Sequence, residues 1–363
     1  MRPARALINL EALRHNYRFA KQAHGARVFA VIKANAYGHG AVQCAQALSG
    51  EADGFAVAIL EEALELRAAG IALPILVLEG IFEQTELDLV SRHDLWTVVH
   101  HAEQLRMIEC STISQPLTIW LKMNSGMNRA GFAGDQLQAA WQRLHDSGKV
   151  GDIALITHLA RADETGSDAT SIQLDSFDTI TRKIPGIRSI SNSAGILGWP
   201  ASHRDWGRAG IMLYGSDPVP DRTTRLRPVM TLQSSIFAVR DIPVGAPLGY
   251  GARFHAERPT RVGLVAMGYA DGYPRCLADG TPVVVDGIRT RLIGRISMDM
   301  LTVDLTDLPQ SGLGSQVELW GSQLPVSHIA QAANTISYEL LCNVKRVAFE
   351  YLDQEADQDH LRR

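Results

Sequence analysis

Along its first two thirds the chain alternates short apolar runs with segments of helical period. The apolar runs cover 28–33, 55–59, 75–79, 96–99, 117–122, 153–158, 187–193 and 209–214. Between them apolar positions recur every three to four residues. In LEEALELRAAG, Leu60, Leu64 and Ala68 share one face and Gly70 stops the pattern. DQLQAAWQRLHDSG and SIQLDSFDTITRKI follow the same period. Strand candidates that are mostly followed by helices predict a parallel sheet, because each parallel crossover needs a helix. Eight such units suggest closure into a TIM-like (β/α)8 barrel. A doubly wound open sheet is the competitor, but no G-x-G-x-x-G follows the first strand.

From about residue 227 the texture changes. Long helical periods give way to short β-rich runs at 230–239, 262–267, 282–285, 291–293, 300–305 and 317–320, separated by turn signals such as PVG, DG and PQSG. The expected architecture is a barrel over 1–226 followed by a mainly β domain over 227–363. One late helix is expected over 327–334, and the charged end DQEADQDHLRR reads as a frayed tail.

Composition narrows the partners. A chain of 363 residues suffices for two domains, and 46% hydrophobic with 20% charged residues is the balance of a soluble globular protein. The net charge of -4, with no block of like charge, argues against nucleic acid or an anionic membrane surface. The N-terminus lacks the apolar core of a signal peptide, because Asn9, Glu11, Arg14 and His15 interrupt it. No apolar stretch reaches the ~18 residues a membrane span needs. Cys44, Cys110, Cys276 and Cys342 are scattered without CxxC spacing, which reads as free thiols in the reducing cytoplasm.

In a barrel of this kind the C-terminal strand ends line one mouth. Those ends supply Lys33, Lys122 with Arg129 in its loop, His158, Asn192 with Ser193, and Arg208 just ahead of the last run. A single strand-end lysine is more often a solvated loop residue, but five ends agree. Several cations and few carboxylates suggest an anionic ligand carrying phosphate and carboxylate. Metal binding is disfavoured, because His158, His203 and the pair His100 and His101 lack carboxylate partners at ligand spacing. GRAGIMLYG offers the amides of Gly210 and Ile211, and NSAG offers a hydroxyl; both are ordinary parts of a phosphate cradle. A lysine desolvated among other cations loses basicity and becomes a nucleophilic amine. Pyridoxal 5′-phosphate is the aldehyde that needs both such an amine and a phosphate cradle.

AVIKANAYGHG closely resembles the cofactor-lysine signature of alanine racemases. KMNSGMNRAGF, ITHLARAD, ISNSAGILGW, RAGIMLYG, LGYGARF, VAMGYADGYPR and GRISMDMLTVDL resemble further blocks of the same family, in the same order, from residue 4 to about 347. The resemblance implies an isomerase that interconverts L-alanine and D-alanine by a two-base route through a pyridoxal-phosphate aldimine. Lys33 would carry the cofactor and serve one face; Tyr250 of the partner subunit in a homodimer would serve the other. His158 and Arg208 would assist the tyrosine, and Arg208 would face the pyridine nitrogen. Arg129 would orient the substrate carboxylate. Tyr37, Ser193, Gly210 and Ile211 would hold the phosphate, and Met298 and Tyr269 would narrow the entrance. Lys122 would be a candidate for carbamylation. D-alanine would serve the bacterial cell wall or be catabolised.

Taken singly, Tyr250 and Tyr269 read as packing aromatics and His158 as a satisfied strand-end histidine. His39 reads as structural. The order of the blocks is what turns the others into site residues. The sequence departs from the family's commoner pattern at Asn124, where many members have Asp, at Ala130, and in CNVKRVAFEY, where Lys345 stands near an expected phosphate contact. A broader-specificity racemase, a barrel-type decarboxylase and a non-catalytic cofactor carrier are the alternatives; the β domain counts against the last.

Overall fold

Eight parallel strands close into a barrel in the computed structural model, which describes residues 2–219 and 225–353. They are Arg27–Val31, Gly54–Val57, Ile75–Val77, Trp96–Val99, Leu117–Lys122, Val150–Ile156, Arg188–Ser189 and Trp206–Ala209. The first strand pairs with both the second and the eighth, which completes the ring. Strands such as Gly54–Val57 and Ile75–Val77 are buried at every position, as expected when both faces of a sheet are covered. Aromatic side chains fill the interior: Phe29 stacks on Trp206 at 4.0 Å and meets Trp120 edge-on at 5.3 Å.

The eighth strand is not the run 209–214. It is Trp206–Ala209, and Ile211–Tyr214 forms a 3-10 turn. The run GIMLY is buried throughout, and a short buried apolar run looks the same as a strand or as a helical turn. Arg208 therefore lies inside the strand. The helix Leu60–Ala68 also differs in detail: it buries Leu60, Ala63 and Leu66, while Ala68 is exposed.

The chain divides into two compact units, Arg14–Leu213 with Asp217–Leu226, and Met1–Leu13 with Tyr214–Ser216 and Arg227–Arg363. The second unit is mainly β. Its long strand Met230–Ile242 pairs with Arg5–Asn9, Gln316–Trp320 and Thr260–Val265, and Arg5–Asn9 also pairs with Ala348–Leu352. Two short helices follow, Val326–Ala332 and Ser337–Cys342; the second has no counterpart among the expected elements. The expected tail lies outside the described residues from 354 onward.

Candidate active site

Lys33 follows the first barrel strand by two residues and opens a turn of unusual hand. Ala34, Asn35, Ala36 and Tyr37 all have φ between 51° and 54°, with ψ between 41° and 50°. Left-handed backbone costs an L-residue roughly 1–2 kcal/mol, so four in succession need support. Asn tolerates the conformation and alanine carries the smallest side chain, but Tyr37 is bulky and buried. Support comes from outside the turn. Glu62 accepts the Ala34 N–H at 2.6 Å, Asn35 Oδ1 accepts the Ala41 N–H at 2.8 Å, and Ala36 donates to the Ile32 carbonyl.

Arg208, on the eighth strand, is 4% exposed. Its guanidinium donates to Ser189 Oγ at 2.5 Å, to the Thr157 carbonyl at 2.6 Å, to the Ile190 carbonyl at 3.1 Å and to His158 Nδ1 at 3.3 Å. All four acceptors are neutral, so its buried charge has nothing anionic among them. Burial pushes its pKa down to about 10, which leaves it cationic at neutral pH. A guanidinium has no acceptor, so His158 Nδ1 must accept and Nε2 carries the proton. Burial, followed by the charges of Arg208, Lys122, Arg129 and Lys33, holds the His158 pKa well below its ordinary value. Lys122, the last residue of the fifth strand, is pushed down to about 8 by burial and then by Arg208, Arg129 and Lys33, with Glu79 opposing.

Arg129 is exposed, on a loop that leaves and rejoins the end of the Lys122 strand. Phe132 N–H donates to the Lys122 carbonyl, and Asn124 N–H to the Phe132 carbonyl. Asn124 Oδ1 accepts from the amides of Gly126 and Asn128, while its Nδ2 donates to Asn128 Oδ1 at 2.9 Å. An aspartate could make the first two bonds and not the third. Lys122, Arg129, His158 and Thr157 line one small cleft.

Across the mouth, Ser193 Oγ accepts the Gly210 N–H at 2.9 Å and the Met212 N–H at 3.4 Å. Its own proton is thereby free to be donated elsewhere. Asn192 caps the short helix Ser193–Gly198 by accepting the Gly195 N–H. A Cβ at Gly210 would stand 2.8 Å from the Tyr37 hydroxyl and 3.7 Å from Ser193 Oγ, so only glycine leaves the hydroxyl its place. Ile211 follows at the start of its 3-10 turn. Tyr37, Ser193, Gly210 and Ile211 thus come together, on the same mouth as Lys33, Lys122, His158 and Arg208.

Tyr250, Tyr269 and Met298 belong to the β unit. Tyr250 lies in a 3-10 turn after Gly249 and is 68% exposed; Met298 is 53% exposed. Tyr269 and Met298 are joined through their backbones, since Tyr269 donates to the Ser297 carbonyl and Ala270 to the Met298 carbonyl. Gly268 permits this approach, as a Cβ there would be 2.2 Å from the Met298 carbonyl. Buried Asp271 secures the Tyr269 turn by accepting the Gly268 N–H and both terminal nitrogens of Arg2.

Sequence reasoning missed Glu62, Thr157 and Ser189 as supports. Each is an ordinary polar residue whose partner is distant in the chain. For His39 the two flanking glycines, Gly38 and Gly40, both at positive φ, were the available signal of a special backbone.

The family model of the alanine racemase N-terminal domain matches residues 8–218, and that of the C-terminal domain matches residues 229–351. An alanine racemase of Aromatoleum aromaticum is 71% identical over 351 residues, 97% of this chain and 99% of its own. Among solved structures, the biosynthetic alanine racemase from Pseudomonas aeruginosa matches with a TM-score of 0.94 at 47% identity, over 97% of this chain and 100% of that one. The alanine racemase from Bartonella henselae, solved with covalently bound pyridoxal phosphate, matches with a TM-score of 0.89 at 30% identity, over 96% and 99%. Matches to both domains, and identity of this order over nearly the whole length, place the chain in the alanine racemase family.

Proposed function

We propose that the chain interconverts L-alanine and D-alanine by moving the Cα proton between two bases on opposite faces of the substrate. It is an isomerase, and pyridoxal phosphate is its cofactor. The barrel residues fit that group on two counts. The Tyr37 and Ser193 hydroxyls meet at Gly210, where a side chain would fill the space. The buried Arg208 cation has only neutral acceptors around it. The first of these carries the reading, because it unites a phosphate cradle with the turn that begins at Lys33.

The cofactor supplies an aldehyde to take the substrate amine and an electron-poor ring that acidifies the Cα–H. Lys33 would hold the aldehyde through Nζ until the substrate amine displaces it, and the amine so released would move the proton on one face. Tyr37 and Ser193 would donate to phosphate oxygens, with the amides of Gly210 and Ile211 beside them. Arg208 would face the ring nitrogen and, as a guanidinium that keeps its proton, would limit how much charge the ring takes and so disfavour side reactions. Arg129 pairs with the substrate carboxylate, for which its planar fork is suited.

Tyr250 of the partner subunit serves the other face. One lysine cannot reach both sides of a planar carbon, and the β domain over 227–363 supplies the second base. A phenol titrates near 10 and needs donors around its oxygen to act as a base. The His158 Nε2–H, with Arg208 behind it at Nδ1, is such a donor. Bare Tyr250, Tyr269 and Met298 support a homodimer, since a second copy would cover them. Tyr269 and Met298 then narrow the entrance to small side chains. Neutral Lys122 can attack carbon dioxide through Nζ, forming an N–C bond and releasing a proton to water; the resulting carbamate is an anion able to hold Arg129.

The scattered cysteines Cys44, Cys110, Cys276 and Cys342, without CxxC spacing, suit a cytoplasmic home. Two enantiomers have equal free energy, so demand sets the direction of flux: peptidoglycan synthesis draws on D-alanine, and catabolism removes it. The test is to incubate the protein with pyridoxal phosphate and L-alanine and follow the D enantiomer by chiral chromatography. An approach to equal amounts is expected; L-alanine left unchanged would refute the proposal.

A further inference from the structure

The strain of the turn 34–37 is concentrated between two proposed cofactor contacts, Lys33 and Tyr37. A left-handed turn is not self-supporting, so its shape must be imposed by neighbours. One neighbour takes the far end. His39 is fully buried, and its ring Nδ1 lies 3.0 Å from the Ala36 carbonyl and 2.9 Å from the Tyr37 carbonyl. Carbonyl oxygens only accept, so Nδ1 carries the proton and is shared between the last two left-handed residues. The His39 backbone N–H donates to Ala36 as well, at 3.1 Å. Glu62 holds the near end at Ala34.

We propose that His39 is a positioning residue for the cofactor site: its Nδ1–H clasps the turn 34–37 and thereby fixes the Tyr37 hydroxyl relative to the Lys33 amine. A cofactor attached at its aldehyde and held at its phosphate needs those two points at one separation. Tyr37 already lies against Gly210, so any unwinding of the turn moves Lys33 and Tyr37 apart or withdraws the hydroxyl. The cost of forming the site is met during folding, before the ligand arrives. The inference rests on the roles proposed above for Lys33 and Tyr37.

The test uses the full-length protein freed of cofactor, titrated with pyridoxal phosphate and with pyridoxal, which has the aldehyde but no phosphate. His39→Leu removes the donor at similar volume. It should shrink the preference for the phosphorylated ligand by about tenfold or more, the scale of one lost charge-assisted hydrogen bond. Tyr37→Phe should then cost less in the His39→Leu background than alone. His39→Asn places an N–H where Nδ1 stood and should keep the preference within about threefold, whereas His39→Gln reaches the Nε2 position and should lose it. The Asn and Gln pair decides the matter if the Leu variant does not fold. A merely structural histidine would weaken both ligands equally, and an unchanged preference in every variant would overturn the proposal. The site reading fails separately, and takes the inference with it, if Lys33→Ala and Tyr37→Phe leave both wild-type affinities untouched.

Discussion

Arg208 donates from Nη2 to Nδ1 of His158 at 3.3 Å, which commits the histidine to a neutral ring with its proton on Nε2. After burial, the charge of the same guanidinium does most to keep His158 from taking a second proton. A basic strand residue thus makes its histidine neighbour a hydrogen-bond donor of fixed orientation. Neither residue has that property alone.

Acid should therefore destabilise the fold. His158 is held well below its ordinary value, and burial pushes His39 down to about 4. In both cases the folded-state pKa is depressed below the unfolded value near 6.5. Above pH 6.5 neither state binds the proton and stability is full. As pH falls from 6.5 toward 4 the unfolded chain gains the protons first, at a cost of roughly 1.4 kcal/mol per pH unit for each histidine. Urea midpoints should drop between pH 7 and pH 5, and His39→Asn should flatten the profile. A midpoint flat across that range would reject this account.

Lys122, pushed down to about 8, should carry about one neutral amine in ten at pH 7. With 13C-bicarbonate, NMR should detect a lysine carbamate that grows as pH rises through 8 and disappears in Lys122→Ala. The same substitution should raise the KM for alanine roughly tenfold, through a less firmly held Arg129. A carbamate signal that survives Lys122→Ala would assign the modification elsewhere.

Gly210→Ala puts a methyl group 2.8 Å from a tyrosine hydroxyl that is buried and cannot easily retreat. Cofactor affinity should weaken about tenfold or more, the cost of a displaced charge-assisted bond. Equilibrium dialysis measures it, and pyridoxal without its phosphate should be affected less. Equal effects on both ligands would mean that Gly210 does not face the phosphate.

Tyr250→Phe should slow exchange of the L-alanine Cα proton with deuterated solvent by roughly a hundredfold, while D-alanine exchange suffers less. The asymmetry separates a two-base from a one-base route. Equal losses for the two enantiomers would sink the two-base scheme.

Much of the barrel was legible because it is built from repeated local patterns. The run at 28–33 reads as a buried strand, and SIQLDSFDTITRKI overlaps the helix Ala169–Thr181 from Ser171 onward. The strand ends could be read because barrel topology gathers them into one mouth, which is why Lys33, Lys122, His158, Ser193 and Arg208 stood out. The eighth strand was misplaced where periodicity carries no information, in the uniformly buried run 211–214. The left-handed turn after Lys33 was invisible for another reason: four positive φ angles in non-glycine residues are held by Glu62 and His39, and no local propensity announces them.

The sequence by itself determined which groups are available, in what order, and on which strand or loop each arrives, because period and turn chemistry act between near neighbours. Only the tertiary structure decided that Tyr37 lies over Gly210, that Arg208 meets nothing anionic among its acceptors, and that Lys122 sits among three other cations. Steric fit, desolvation and Coulomb interaction depend on distance through space, and the chain records only distance along itself.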